Sequence, residues 1–311
     1  MMRVSVIVNP RAGAGSAARH LPAVRHGLNG LGVAFEILET RHPGHAVELA
    51  RSARDAGSTL LAVVGGDGTL NEVSQAYIDA TGSPTAGPPI ALIPCGTGGD
   101  FPRSCAFAGS SIPSALARLV ARKLRPVDLG VVSLVDSRGA PVHRAFLNVA
   151  SVGISGDVDE RVARGPKWLG GKAAFLLGTV SAALVYRNVP MEIEVDGRSW
   201  HRGPVLLAAI ANGQFLGGGM HIAPAADFAD GQFDVICVGD LSRGKFLSLF
   251  PRVYKGAHLG LEAVSSVRGR SVVVRALRDG GPVLVDVDGE TPGYLPLAAR
   301  IFPGALQLVV D

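Results

Sequence analysis

Short apolar runs alternate with amphipathic stretches through the first part of the chain. The apolar runs cover residues 4–8, 33–38, 60–64 and 90–93, and helical periodicity follows in residues 16–28, 45–55, 70–80 and 111–122. Strands that alternate with helices in this way form a parallel sheet with helices on its faces. The pattern therefore predicts an N-terminal parallel α/β domain over residues 1–125.

The pattern changes near Arg125 to short strands separated by turn residues. These strands are expected at residues 127–134, 145–150, 191–195, 205–211, 233–238, 271–276 and 283–287. Such spacing favours a mostly antiparallel β-sandwich over residues 126–295, interrupted by helices near 168–186 and 243–256. The last residues, about 296–311, are expected to pack back on the first domain.

Composition indicates a folded protein with a large core. Of the 311 residues, 47% are hydrophobic and only 18% are charged, and the mean hydropathy is +0.30. This composition excludes disorder and suits two domains.

The apolar run at the start of the chain is too short for an export signal. The longer one at 168–186 contains Lys172 and three glycines, which favours a buried or interfacial helix over a membrane span.

Cysteines and charges give further limits. Cys95, Cys105 and Cys237 are odd in number and lack metal-site spacing, so we expect reduced thiols in a cytoplasmic protein. The net charge of +4 suits anionic lipid or phosphate, but no basic run indicates a nucleic acid partner. The scattered histidines are expected to be packed or solvated rather than to bind ligands.

One glycine-rich loop follows the third predicted strand. Gly65, Gly66 and Gly68 surround Asp67 there, directly before an amphipathic helix. Glycines let backbone N–H groups approach phosphate oxygens closely, and the helix N-terminus adds partial positive charge. Asp67 could then hold Mg²⁺, usually through water, or orient an attacking hydroxyl. The alternative is a tight turn in which Asp67 caps a helix.

Two further glycine-bearing loops follow the first and fourth strands, at residues 9–16 and 94–101. Ligands bind at the carboxyl ends of strands in open α/β sheets, so the three loops are expected to line one crevice. The segment 13–18 also satisfies a loose dinucleotide fingerprint, which is weak by itself, and the chain contains no Walker-type Gly-Lys-Ser/Thr element.

Several segments together resemble the catalytic domain of the diacylglycerol kinase family, which includes sphingosine kinases and bacterial lipid kinases. They are Asn9-Pro10, Gly65 to Thr69, Gly96-Thr97, Asp100-Phe101 with Arg103, Asn148 to Gly153, Asn212 to Met220, Ile222 to Ala226, Asp230 to Val235, and Asp288-Gly289-Glu290. The resemblance therefore spans nearly the whole chain. This chain departs from many relatives at Gly99, where they carry Asn, and at Arg11 and Ala12 in the first loop.

The resemblance implies a set of functional residues. ATP-binding residues are expected to be Asn9, Pro10, Arg11, Ala12, Gly13, Thr40, Gly65, Gly66, Asp67, Gly68, Thr69, Leu70, Asn71 and Thr97. A bacterial structural Mg²⁺ site would use Asp227, Asp230 and the backbone of Gln232. Glu290 would act as general base with Asp288 near the phosphates, while Asp67 remains a rival base.

The chemistry of the late acidic motif is compatible with this role. A lipid hydroxyl is a poor nucleophile, and a carboxylate within hydrogen-bond reach can accept its proton as the bond to phosphorus forms. Taken by itself, however, Asp288-Gly289-Glu290 favours a hairpin turn between strands, where Asp-Gly is common.

The expectation is an ATP-dependent lipid kinase that transfers the γ-phosphate to a lipid hydroxyl such as that of diacylglycerol or a sphingoid base. Its cofactors would be ATP and Mg²⁺, and its partner a lipid at the membrane surface, with the enzyme cytoplasmic and peripheral and a homodimer left open. Apolar segments at 175–177 and 246–250 would contact acyl chains or membrane, or form ordinary core. The alternatives are an NAD kinase-like phosphotransferase and a non-catalytic lipid-binding regulator.

Overall fold

The computed structural model describes residues 2–95, 99–105, 110–164, 177–179, 181–182, 185–277 and 281–311, except for the side chains of residues 159, 163 and 164. The chain divides into two compact units. Unit 1 comprises Met1–Leu129 and Pro303–Asp311, and unit 2 comprises Gly130–Phe302.

Unit 1 is built on a parallel sheet. Its strands are β1 (Arg3–Val8), β2 (Ala34–Glu39), β3 (Leu60–Gly65) and β4 (Ile90–Pro94), in the spatial order β2-β1-β3-β4. The end of the last strand of the chain, β17 (Glu290–Val310), adds Leu308 beside Ile90 in parallel. Every residue of β3 is buried, which is typical of a parallel strand covered on both faces.

Helices cover this sheet in the predicted alternation. They are α1 (Ala12–Gly30), α2 (His45–Asp55), α3 (Asp67–Ser74) with a 3-10 turn at Gln75–Tyr77, α4 (Asp100–Ser104) and α5 (Ile112–Ala121). The start of α1 differs from the prediction, because Gly13, Ala14 and Gly15 have φ angles of 58°, 53° and 81°. These left-handed residues separate the first loop from the regular helix, which begins near the predicted Ser16.

Unit 2 is mostly antiparallel. Its strands are β5 (Lys123–Val135), β6 (Pro141–Phe146), β7 (Val149–Gly153), β8 (Val189–Val195), β9 (Arg198–Val205), β10 (Leu207–Ala211), β11 (Phe215–Leu216), β12 (Met220–His221), β13 (Phe233–Val238), β14 (Val264–Gly269), β15 (Ser271–Ala276) and β16 (Leu284–Val287), together with the first part of β17. Among the described residues it also contains the helices α6 (Ile154–Arg164) and α7 (Arg243–Leu249), the latter followed by a 3-10 helix at Phe250–Lys255, and short helical stretches at 177–179, 181–182 and 185.

Two series of strands enclose the core of unit 2. One runs β14-β13-β10-β7-β16-β17, and the other runs from β17 through β15 and β8 to β9. Phe146, Phe233, Ile193 and Val274 belong to the single buried cluster to which both series contribute. The predicted fold class, a parallel α/β domain followed by a mostly antiparallel β-sandwich, is confirmed.

The last nine residues belong to unit 1, and Val309 is buried in its core. Most of the apolar stretch at 168–186 lies outside the described residues, but 177–179, 181–182 and 185 are helical. In the part of the chain that the structure describes, we find no helix with both the length and the apolar character that crossing a membrane requires. The three cysteines are unpaired, and burial raises the pKa of the Cys237 thiol to about 12.

Candidate active site

The carboxyl ends of four strands meet at one edge of the parallel sheet in unit 1. Backbone hydrogen bonds join them: the Thr40 N–H donates to the Val8 carbonyl at 2.8 Å, and the Cys95 N–H donates to the Gly65 carbonyl at 2.9 Å. The Asn9 N–H donates to Val64 at 3.3 Å. The loops that carry the predicted ATP-binding residues of the first three strands therefore lie side by side.

The loop after β1 is held in a tight, concave conformation. The Asn9 side-chain oxygen accepts a hydrogen bond from the Arg11 N–H at 3.1 Å, and the Asn9 carbonyl accepts one from Ala12 at 3.0 Å. The left-handed residues from Gly13 follow. Successive amides in such turns form concavities that suit anions. Pro10 and Arg11 lie at the outer side of this loop, where Arg11 is exposed.

The loop after β3 leads directly into α3, and its glycines have different roles. A Cβ atom on Gly65 would lie 2.5 Å from the Thr69 hydroxyl oxygen, so glycine is needed there for internal packing. A Cβ atom on Gly68 would meet nothing within 4 Å. Gly68 lies in the first turn of α3, where the Thr69 N–H donates to the Gly66 carbonyl at 3.1 Å but the helix offers no acceptor for the N–H groups of Asp67 and Gly68. The open space beside it suits an anionic ligand.

The side chains of three predicted ATP-binding residues are buried. Leu70 lies in the core, Thr69 packs against Gly65, and Asn71 accepts a hydrogen bond from Gln75. These side chains support the loop from inside, so any direct contact with a nucleotide falls to the backbone and to Gly66, Asp67 and Gly68. Thr97 lies outside the described residues.

Asp67 connects two of the loops. Its Oδ2 atom accepts hydrogen bonds from the Asp100 N–H at 2.7 Å and the Gly99 N–H at 3.2 Å, so Asp67 caps the start of α4. Its other oxygen, Oδ1, is buried and has no hydrogen-bond partner among the described residues. A buried carboxylate oxygen without a partner costs free energy, so this atom fits a water molecule or a hydrated cation.

The late acidic motif forms a two-residue hairpin turn in unit 2. Asp288 and Gly289 have φ angles of 51° and 87° and connect β16 to β17, with Val287 paired to Glu290. Positive φ at both central residues is the geometry that favours Asp-Gly in tight hairpins. The backbone of this segment therefore forms the hairpin turn that Asp-Gly favours.

Asp288 is held by the backbone of the preceding strand region. Its carboxylate accepts hydrogen bonds from the N–H groups of Leu147 at 2.8 Å, Asn148 at 3.0 Å and Val149 at 2.9 Å. Three such bonds fix the carboxylate and position the hairpin. Glu290, at the first position of β17, is exposed.

Sequence reasoning missed a third acid in the same hairpin. Asp286 is 0% exposed, and its carboxylate accepts hydrogen bonds from the Ser151 hydroxyl and from the Gly289 N–H, both at 2.8 Å. The second bond ties Asp286 directly to the turn. The available signal was an acid between two valines in an otherwise apolar strand, since a buried carboxylate is retained only with hydrogen-bond partners.

Asp286 lines an apolar cavity of about 100 Å³ that lies within unit 2. Its walls come from α6, α7, the 3-10 helix and the glycine-rich segment around β12; they include Ile154, Val158, Met220, Phe246, Leu249, Phe250 and Val253. Three other polar side chains, Ser155, Thr179 and His258, also line it. The segment 246–250 thus contributes to a pocket, while 175–177 lies outside the described residues.

His258 is a buried member of this wall that sequence reasoning treated as unremarkable. Its Nε2 atom lies 2.9 Å from the Ile222 carbonyl oxygen. A carbonyl can only accept, so Nε2 carries the proton. Burial lowers the pKa of His258, which keeps the ring neutral, and its Nδ1 atom is then an acceptor without a partner among the described residues.

The predicted magnesium ligands lie in the turn before β13. The Asp230 Oδ1 atom accepts a hydrogen bond from the Gln232 N–H at 3.0 Å, and the Asp227 Oδ1 atom accepts one from Ala229 at 3.1 Å. The Arg268 guanidinium pairs with the Asp230 Oδ2 atom. Arg268 therefore neutralises part of the charge of Asp230, and the magnesium site at Asp227, Asp230 and Gln232 stays a prediction.

Comparison with known proteins agrees with this architecture. The model of the diacylglycerol kinase catalytic domain matches residues 3–132, and that of the YegS C-terminal NAD kinase beta sandwich-like domain matches residues 148–310. A protein of Xanthomonas euvesicatoria named "Probable lipid kinase YegS-like" is 30% identical over 89% of this chain and 87% of its own length. A diacylglycerol kinase of Mycobacterium tuberculosis is 29% identical over 99% and 94%.

The fold has the same relatives. The crystal structure of a diacylglycerol kinase from Bacillus anthracis matches with a TM-score of 0.74 and 24% identity, over 99% of this chain and 97% of the other. The two domain models and these relatives show that the protein is a lipid kinase with an α/β domain and a β-sandwich domain. The chain belongs to the diacylglycerol kinase family, within the YegS-like lipid kinases.

Proposed function

We propose that this protein transfers the γ-phosphate of ATP to the hydroxyl of an uncharged lipid such as diacylglycerol, with Mg²⁺ as the counter-ion of the phosphates. The observation that carries the proposal is the bond between Asp286 and Gly289. It joins the only carboxylate among the described residues of the cavity wall to the hairpin on which Glu290 lies.

Unit 1 would bind the nucleotide. The first-turn amides of α3 and the open space beside Gly68 suit phosphate oxygens, and the adjacent turn from Asn9 to Gly13 suits a second anionic group. Mg²⁺, when present with ATP, would neutralise charge that develops on the phosphates. The unpartnered Asp67 Oδ1 atom would hold it through water.

Unit 2 would bind the acceptor lipid. Acyl chains need an apolar cavity, and the one beside Asp286 has apolar side chains on nearly all sides. A lipid in that cavity would present its polar end towards the hairpin side, where Asp286 is located. The mostly apolar wall disfavours nicotinamide nucleotides, which are polar throughout.

Glu290 is the general base in this mechanism. The carboxylate of Asp288 accepts three backbone hydrogen bonds that hold the hairpin, and that of Asp67 accepts two that hold the start of α4 and would also face Mg²⁺, whereas the Glu290 side chain is exposed. Glu290 would accept the hydroxyl proton as the lipid oxygen bonds to the γ-phosphorus and the bond to the bridging oxygen of ADP breaks.

The segment from α7 through the 3-10 helix would contact the membrane surface. Arg243, Lys245, Arg252 and Lys255 are exposed, and no acidic residue occurs between them. Phe246 and Phe250 in the same segment line the cavity. Basic residues attract anionic lipid, and apolar ones enter the interface, which would give a lipid access to the cavity from the membrane.

The test is phosphorylation of 1,2-dioleoylglycerol in mixed micelles with γ-labelled ATP. Glu290→Gln is expected to lower kcat by at least a hundredfold, because proton acceptance contributes about 10²–10⁴ to such reactions. Asp67→Asn is expected to raise the KM for MgATP and to lower kcat. Circular dichroism should show both variants folded.

Two exposed acids serve as matched controls, Glu262→Gln in unit 2 and Asp55→Asn in unit 1. They should keep full activity. Full activity in Glu290→Gln would remove the proposed base. Phosphorylation of NAD but of no lipid would replace the proposal with a nucleotide phosphotransferase, and lipid binding without ATP turnover would indicate a regulator.

A further inference from the structure

The polar atoms of the cavity wall in unit 2 differ from those of an ordinary apolar pocket. The Asp286 carboxylate accepts hydrogen bonds from Ser151 and Gly289, whereas the His258 ring donates from Nε2 to Ile222 and its Nδ1 atom is an acceptor without a partner among the described residues. Among the described wall residues, none is a lysine or an arginine. Ser155 and Thr179 can donate as well as accept, but Asp286 and the Nδ1 atom of His258 can only accept, so a ligand with its own donors suits this wall and an anionic group is disfavoured.

The Nδ1 atom of His258 is the acceptor for which a hydrogen bond from a ligand would matter most. Its side chain is held in place by the Ile222 carbonyl, the residue is only 5% exposed, and its Nδ1 atom has no partner among the described residues. A buried acceptor without a donor costs about 1–3 kcal/mol, which a ligand recovers when it supplies the missing hydrogen bond. Asp286, in contrast, already accepts bonds from Ser151 and Gly289.

The proposed kinase reaction uses one donor of the lipid, because the reacting hydroxyl gives its proton to Glu290. A 1,2-diacylglycerol has no other donor, so it would leave the Nδ1 atom of His258 unsatisfied. A lipid with a second hydroxyl, or with an amide or amine N–H, would satisfy both groups. Sites that hydrogen-bond a substrate group discriminate strongly against analogues that lack it.

We propose that His258 is a specificity-determining residue that selects acceptor lipids with a second hydrogen-bond donor, of the monoacylglycerol or amide-linked class, over diacylglycerols. This rests on the proposed kinase function. The second donor bonds to the Nδ1 atom of His258, while the acyl chain packs against the phenylalanines of α7 and the 3-10 helix.

Two lipids that differ only in the second hydroxyl test the effect of that hydrogen-bond donor. The test compares 1-oleoylglycerol with 1-oleoyl-2-O-methylglycerol, in which a methyl ether replaces the second hydroxyl, and measures both kcat/KM and equilibrium binding in micelles. We expect the methyl ether to be about tenfold poorer in both, since one hydrogen bond contributes about 0.5–1.5 kcal/mol and 1.4 kcal/mol corresponds to a factor of ten.

Two variants connect this preference to His258. His258→Phe keeps a flat ring but has no acceptor, and it should make the two lipids equivalent. His258→Asn can place an amide oxygen near the Nδ1 position and should restore part of the discrimination. Thermal unfolding of each variant confirms that it is folded, and Ser199→Ala, an exposed change on β9, should keep the native preference.

The outcomes separate this inference from the proposed function. If both lipids are phosphorylated equally well by the native chain, a buried water satisfies His258 and the inference is wrong. If neither lipid is phosphorylated but binding shows the tenfold preference and His258→Phe abolishes it, the selectivity stands and the kinase proposal falls. Failure of both lipids to bind would overturn both.

Discussion

Gly65 and Gly68 lie three residues apart, but only Gly68 leaves open space. A methyl group on Gly68 would touch no protein atom within 4 Å and would enter the space assigned to phosphate. Gly68→Ala should therefore fold normally and raise the KM for ATP about tenfold, equivalent to about 1.4 kcal/mol of lost binding. Initial-rate kinetics at varied ATP would measure this change.

Gly30→Ala provides the matched control for that substitution. Gly30 lies in the same unit, and a Cβ atom there also meets nothing within 4 Å. Its KM for ATP should equal that of the native chain. A normal KM in Gly68→Ala would mean that phosphate does not approach this turn.

The charged carboxylate of Asp288 stabilises the folded state. Its carboxylate accepts three backbone hydrogen bonds, whereas an asparagine has one acceptor oxygen and would turn a donor towards the remaining amides. We expect Asp288→Asn to lower the free energy of unfolding by about 1–3 kcal/mol. Urea denaturation would measure it.

Asp136→Asn is the comparison for that loss. Asp136 also accepts backbone hydrogen bonds in a hairpin turn, from Arg138 and Ala140, but these bonds lie at the exposed β5–β6 turn. Asp136→Asn should lower the free energy of unfolding by less than Asp288→Asn does, because water replaces the missing hydrogen bonds at the exposed turn. Equal losses in the two variants would contradict the anchoring role of Asp288.

At the level of elements, α7 and its 3-10 extension combine charge and apolar surface in one segment. The α-helix ends at Leu249, and Pro251 follows within the 3-10 helix, since proline cannot donate the hydrogen bond that a continued α-helix needs. The single helix predicted for residues 243–256 is therefore two elements in the structure.

The charges of this segment support a prediction about vesicles. Replacing both Lys245 and Arg252 with Gln should weaken binding to vesicles that contain phosphatidylglycerol by tenfold or more, since each basic residue near an anionic surface contributes about 1 kcal/mol. Sedimentation with sucrose-loaded vesicles would measure it.

The double variant Arg25→Gln with Arg138→Gln is the control, because it removes two exposed charges elsewhere. It should bind the same vesicles as the native chain does. If both double variants weaken equally, binding depends on net charge rather than on α7.

For the whole molecule, pH acts through His258, which is buried, and His221, which is partly buried. Burial lowers the pKa values of His221 and His258, so the folded chain keeps them neutral while the unfolded chain takes up protons near pH 6.5. Stability from these groups is present above that pH and is lost as the pH falls below it. The unfolding temperature should therefore drop between pH 7.5 and pH 5.5.

Calorimetry on the native chain and on His258→Phe would test whether His258 contributes to this drop in the unfolding temperature. The variant cannot take up the proton on unfolding, so its unfolding temperature should depend less on pH over that range. The same dependence in both proteins would assign the effect to other groups. The carboxyl of Asp234, whose pKa burial raises, acts in the opposite direction at more acidic pH.

Local patterns were enough to predict much of this protein. The periodicity of apolar residues identified α2 at its observed bounds, because side-chain burial in a helix repeats within a few residues. Glycines at strand ends identified the loop after β3 in the same way. The resemblance to lipid kinases rested on such short segments, and it identified the family.

Contacts between distant parts of the chain were decided only by the tertiary structure. Asp67 caps α4 across 33 residues, Asp288 accepts hydrogen bonds across about 140, and Arg268 occupies the carboxylate of Asp230. Asp286, on β16, and His258, in the turn after the 3-10 helix, come to one cavity from parts of the chain that are distant in sequence. Periodicity reports whether a residue is buried, but the partner it meets there depends on strand order, which no local pattern contains.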